Sequence, residues 1–144
     1  FLIAAVATAA MTTFSYVMTR KKEKQFREPE LLNDLISGST TFDLRVSKEN
    51  ILGWLAHFAI GIAFTFVFWL LCTWNILDVS FFSALIFGVA AGLTGIASWH
   101  LMFFLNENPP DIPLKDFSLQ LMIAHVIFAA FVVGGFYVAF VEIN

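Results

Sequence analysis

The chain predicts an all-α, polytopic membrane protein: a bundle of four transmembrane helices with a short amphipathic helix in the first cytoplasmic loop. All of it forms one domain over residues 1–144. Three observations carry this. Hydrophobic residues make up 59% of the 144 positions and charged residues only 13%, whereas a soluble domain carries about 25% charged residues. Four apolar stretches, near 1–19, 51–74, 80–105 and 117–141, approach or exceed the roughly 20 residues that cross a hydrocarbon core. Seven of the eight basic residues (Arg20, Lys21, Lys22, Lys24, Arg27, Arg45 and Lys48) fall in one segment between two of these stretches.

The first stretch reads as a retained helix. Ala5-Val6-Ala7 and Ala7-Thr8-Ala9 resemble cleavage sites, but a signal peptide carries its positive charge before the apolar run. Here the charge follows, in Thr19-Arg20-Lys21-Lys22. Basic short loops stay in the cytoplasm, so loops 20–50 and 106–116, the latter holding Lys115, are expected inside. Both termini are then outside, in a bacterial inner membrane. Tyr16 and Trp54 suit the inner interface, and Trp74 and Tyr137 the outer one. The continuous apolar runs exclude the alternating pattern of a β-barrel.

Within the first inner loop, Glu28-Pro29-Glu30 predicts a helix start, with Pro in the first turn and acids at the positive dipole end. Leu31, Leu32, Leu35 and Ile36 form one apolar stripe, and Gly38 ends it. This helix is expected on the membrane surface or under the bundle, where Leu31, Leu32 and Leu35, with Arg20, Lys21 and Lys22, would meet lipid or a partner. The short outer connection at 75–79 predicts that the second and third apolar helices are antiparallel neighbours.

A faint repeat is visible. Val6-Ala7 with Ser15-Tyr16 parallels Val89-Ala90 with Ser98-Trp99, and Ala56-His57 parallels Ala124-His125. The first and second pairs of apolar helices read as two copies of one hairpin.

The histidines are the candidate functional residues. His57 and His125 lie about two turns into the second and fourth apolar helices, and His100 about one turn before the end of the third. One layer of the inner leaflet would hold all three. Polar groups in lipid normally face the bundle interior. Thr8, Thr12, Ser15 and Thr19 share a face of the first helix and would meet them there. Gly53 and Gly61 on the second helix, and Ala84, Gly88 and Gly92 on the third, form the small-residue stripes that let helices close.

Three readings of this layer stand side by side. The histidines pin helix register through hydrogen bonds. Alternatively, His57 and His125 ligate haem b, with Arg45, Lys48 or Lys115 at the propionates, or all three bind a transition metal. Or they titrate near neutral pH and sense protons. Against cofactor binding, the apolar helices hold no carboxylate to orient a ligand. Against a full proton path, no ionisable group follows in the outer leaflet before Asp78 and Glu142. Glu107 and Asp111, around Asn108-Pro109-Pro110, are within reach of His100, although a rigid solvated turn explains them equally.

Catalysis finds no motif: neither a nucleophile elbow nor a phosphate loop is present. The lone Cys72 permits no intrachain disulfide. The basic cluster is interleaved with acids, so nucleic acid is not a partner. The expectation is a non-enzymatic accessory or assembly subunit of a larger membrane complex, respiratory ones included. It would need no cofactor, and its partners would be the bilayer and other membrane subunits. Haem-b electron transfer and a pH-responsive channel or regulator are the alternatives.

From Trp54 to Tyr137 the sequence resembles the YagU-like group of bacterial inner-membrane proteins. The shared order is His57, then Gly88 and Gly92, then His100 with Phe103 and Phe104, Pro109-Pro110 and His125. The chain departs from that pattern in the first inner loop and lacks a charged C-terminal tail. The resemblance implies a four-helix inner-membrane protein without established enzymatic activity, loosely associated with acid tolerance.

Overall fold

The computed structural model describes residues 1–22, 24–39 and 45–141, and every regular element among them is helical. There are five: α1 (Leu2–Lys22), α2 (Glu28–Gly38), α3 (Ile51–Thr73), α4 (Phe81–Leu105) and α5 (Leu114–Val141). Helices α1, α3, α4 and α5 are long and apolar enough to cross a membrane, which makes this a multi-pass membrane protein. Glu142 lies outside the described residues.

Local chemistry sets the boundaries. Arg20, Lys21 and Lys22 fill the last turn of α1, where the helix dipole favours cations. The Asn50 side chain caps α3 by accepting from Leu52 N at 2.9 Å, and Ser80 caps α4 by accepting from Ser83 N at 3.2 Å. Asn75, just past α3, takes φ 57°, a left-handed conformation that Asn tolerates better than most residues. The end bearing Arg20–Lys22 and α2 is called the basic end here, and the 74–80 turn marks the far end.

Helix α4 packs along α5, α5 along α1, and α1 along α3, while α2 lies against α3. Among the described residues, α3 and α4 are not a closely packed pair, contrary to the expectation from their short connection. They meet near the far end, where the Phe68 and Phe87 rings lie 5.2 Å apart. Each is anchored to a different neighbour. A Cβ on Gly88 would stand 2.8 Å from Val126 Cα, and one on Gly92 2.6 Å from Met122 Sδ, so these glycines seat α4 on α5. Ala84 is buried on the same helix. Gly61 instead lies against the Thr8 side chain of α1, and Gly53 against Pro29 O and Asn33 of α2. A space therefore opens between α3 and α4 toward the basic end.

Helix α2 is drawn into that end. Leu31, Leu32 and Leu35 are buried and Ile36 half-buried, so these leucines do not form the lipid or partner surface expected of them. Beneath them Phe26 stacks with Phe117 at 6.4 Å, and Trp99 meets Phe117 edge-on at 5.3 Å. Arg20, Lys21 and Lys22 are exposed. Lys24 pairs with Asp116 of α5, and Arg27 sits 4.9 Å above the Tyr16 ring while pairing with Glu30 at 2.9 Å.

Candidate functional site

A cavity of about 220 Å³ occupies the gap between α3 and α4. Its walls carry His57, Ile60 and Phe64 from α3, Gly95, Ser98 and Trp99 from α4, and Leu121, His125 and Phe128 from α5; Thr8 and Met11 of α1 and Glu28 and Leu32 of α2 complete it. His57 and His125 thus share one chamber, as their common depth predicts.

Each ring is held in a definite tautomer. Thr12 Oγ1 donates its single hydrogen to Thr8 O at 2.7 Å, so at the 2.9 Å contact with His57 Nε2 it must accept. The neutral His57 ring therefore carries its proton on Nε2 and a lone pair on Nδ1. His125 Nδ1 lies 2.8 Å from Leu121 O, which can only accept, so His125 keeps its lone pair on Nε2. Among the described residues, no protein group bonds either lone pair. Gly95 makes room for the second ring: a Cβ there would lie 2.8 Å from His125 Cε1 and 3.0 Å from Nε2.

Helix α2 contributes a carboxyl. Gln120 Nε2 donates to Ser15 Oγ at 2.6 Å, and Ser15 Oγ donates to Glu28 Oε1 at 2.6 Å. Glu28 Oε2, Gln120 Oε1 and Thr8 Oγ1 are buried without a partner among the described residues. Burial pushes the Glu28 carboxyl up to about 7, against the opposing effect of the Ser15 and Gln120 hydrogen bonds. The four spanning helices hold no carboxylate at this depth, but Glu28 enters the same chamber from α2 and corrects that picture.

His100 does not join the layer. It is exposed, and its Nε2 lies 3.0 Å from Ser118 Oγ on α5. The late position in α4 fixes its depth, but the rotation of α4 on α5 turns it outward. Glu107 and Asp111 are also exposed. Their loop straps the end of α2 instead, where Asn106 Nδ2 donates to Leu35 O at 2.8 Å and Asn108 Nδ2 to Gly38 O at 3.4 Å.

Of the polar face of α1, Thr12 meets His57, Ser15 meets Glu28 and Gln120 instead, and Thr8 Oγ1 bonds no group among the described residues. Thr8, Thr12 and Ser15 are buried, and Thr19 Oγ1 accepts from Phe26 N at 3.1 Å. The repeat gains a physical sense here. Under the offset that aligns Val6 with Val89, Thr12 falls on Gly95. Those two residues stand beside the two equivalent histidines, one bonding His57 and the other admitting His125.

A haem shared by these two rings would have to use His57 Nδ1 and His125 Nε2, since Thr12 occupies His57 Nε2. A metal held by all three histidines does not fit, because His100 lies outside the chamber. Among the described residues, no group of three His, Cys, Asp or Glu side chains is gathered closely enough to hold a metal ion.

Sequence reasoning missed Glu28, Gln120, Gly95 and Asn33. Glu28 reads locally as nothing more than a helix-start acid. A signal for Gln120 existed, because it is an amide inside the apolar run of α5, one turn before Ala124. Gly95 continues the Gly88 and Gly92 stripe. No protein-family model matches the chain, and neither a curated protein nor a solved structure matches it.

Proposed function

We propose that this chain is a non-enzymatic integral membrane protein acting as a proton-linked regulator, in which docking of α2 into the bundle follows the protonation of Glu28. One observation carries the reading. A carboxyl from the helix outside the four spans is fully buried against α1 and α5, with one oxygen unpartnered in a chamber lined by two histidines. The ionised form of such a group is costly, so docking is favoured when Glu28 is protonated. The other titratable groups lining its chamber are His57 from α3 and His125 from α5; α1 presents Ser15 and α4 presents Ser98 and Trp99. No cation among them balances an ionised Glu28 while both imidazoles are neutral.

The test is hydrogen exchange of α2 amides in the full chain in lipid nanodiscs, corrected for the intrinsic pH dependence of exchange. Protection is expected to fall as pH rises through about 7 and to stay level in Glu28→Gln. A level profile in the unsubstituted protein would overturn the reading.

A second reading, an accessory or assembly subunit of a larger membrane complex, has its own support. Phe81, Phe82 and Phe104 are 85%, 68% and 84% exposed, and a large apolar exterior suits neighbouring subunits as well as lipid. Gentle extraction from native membranes should yield a defined larger assembly, and a stable monomer would count against it. The same proposal takes the compartment to be a bacterial inner membrane with the basic loops in the cytoplasm and both ends outside. It takes the likeness to the YagU-like group as its family setting.

A further inference from the structure

The chamber has the character of a binding site. Two of its groups are fixed acceptors, because the tautomers leave lone pairs on His57 Nδ1 and His125 Nε2, while the unpartnered Thr8 hydroxyl and the protonated Glu28 carboxyl can donate as well as accept. An occupant that satisfies both rings must bring donors. Phe64, Trp99 and Phe128 give the rest of the wall a flat aromatic character, with Phe64 edge-on to His125 at 5.9 Å. Those walls suit a planar ring. Volume agrees, because a cavity of roughly 150 Å³ already holds benzene and this one measures about 220 Å³.

The mouth faces the bilayer. Ile60 of α3 and Ser98 of α4 line the chamber and are exposed. They lie roughly 10–14 Å along their helices from the basic end, at about 1.5 Å per residue. An occupant then arrives from the membrane and leaves its apolar part there. A permanent cation would shed its hydration in a mostly apolar chamber for one carboxyl whose ionised form burial disfavours. A neutral donor incurs no such cost.

We propose that this cavity binds the head group of a membrane-dissolved quinol, whose two ring hydroxyls donate to His57 Nδ1 and His125 Nε2 and whose apolar tail leaves between α3 and α4. The step is binding only, with no electron transfer. It concerns the same chamber as the proton-linked reading and deepens it by naming what the chamber holds.

The experiment is equilibrium binding of a radiolabelled decyl-hydroquinone, kept reduced, to the full chain in lipid nanodiscs. Unlabelled decyl-hydroquinone, its dimethyl ether and decylammonium serve as competitors. Saturable binding is expected, with the ether, which has no donors, and decylammonium each at least tenfold weaker. Ser98→Phe, a rim change in an exposed position, should abolish saturation without disturbing the fold, and His57→Leu should weaken binding at least tenfold. Overturning results are the absence of saturable binding, equal competition by the ether, stronger competition by decylammonium, or unchanged binding in Ser98→Phe. Hydrogen exchange of α2 against pH, measured on the same nanodiscs without ligand, keeps the two ideas apart. A pH-dependent α2 without binding sinks only the ligand, and donor-selective binding with a pH-independent α2 sinks only the proton linkage.

Discussion

Glu28 accepts a 2.6 Å hydrogen bond from Ser15, and this contact ties the buried start of α2 to the transmembrane bundle. The pair joins a helix outside the four spans to the polar face of α1, and Gln120 of α5 completes the junction at 2.6 Å from Ser15 Oγ.

The junction makes stability depend on pH in a defined direction. The Glu28 carboxyl titrates at about 7 when docked, against 4.5 for an ordinary glutamate. The docked form therefore binds its proton more tightly than the undocked form. Stability is highest below about pH 4.5 and falls as pH rises to about 7, by on the order of 3 kcal/mol. The thermal midpoint in nanodiscs should drop by several degrees across that window, and Glu28→Gln should remove most of the drop.

Gly53 is the seat on which α2 crosses α3. A methyl group there would overlap Pro29 O and press on Asn33. Since Pro29 O is backbone, it cannot step aside, and Gly53→Ala should cost about 3 kcal/mol or more of stability. Gly134, whose Cβ position has nothing within 4 Å, is the control. There alanine should be neutral or stabilising by up to about 1 kcal/mol. Equal midpoints for the two variants would contradict the crossing geometry.

Asn33 is fully buried and organises the start of α3. Its Nδ2 donates to Lys48 O at 2.8 Å and Asn50 O at 2.7 Å, and its Oδ1 accepts from Gly53 N at 2.9 Å. Asn33→Asp turns a carboxylate toward two carbonyl oxygens. It should destabilise the protein more than Asn33→Ala, which leaves buried groups unpaired at about 1–3 kcal/mol. Comparison of denaturation midpoints for the two variants checks the order.

Thr12 and His57 are coupled across α1 and α3. A double-mutant cycle with Thr12→Val and His57→Phe should return about 0.6 kcal/mol, with an upper bound near 1.7, the range for hydrogen bonds between membrane helices. A cycle on His100 and Thr12 should return nothing, because His100 bonds Ser118 instead.

Much of this architecture is readable along the chain. Helices α1, α3, α4 and α5 begin and end within about three residues of the apolar runs, because crossing hydrocarbon demands a continuous apolar helix. Helix α2 is legible from Pro29, its flanking acids and the Leu31-Leu32-Leu35 stripe. His57 and His125 share a depth by counting alone, since rise per residue is constant. Rotation is not a matter of counting, and so His100 lies at the expected depth yet faces outward.

What the sequence alone determined, then, is which segments are helical, how long they are, and which polar residues sit at which height. Those are one-dimensional properties of hydropathy and helical rise. Only the tertiary structure decided that α2 tucks inward, that α4 rests on α5 while α3 rests on α1, and that Glu28 lines one chamber with two histidines. These depend on where backbones can approach, at Gly53, Gly61, Gly88, Gly92 and Gly95. They also depend on which hydrogen bonds close between residues far apart in the chain, as Ser15, Glu28 and Gln120 do. Local patterns carry no record of such pairings: Ser15 and Glu28 each stand out locally, but nothing along the chain says that they meet.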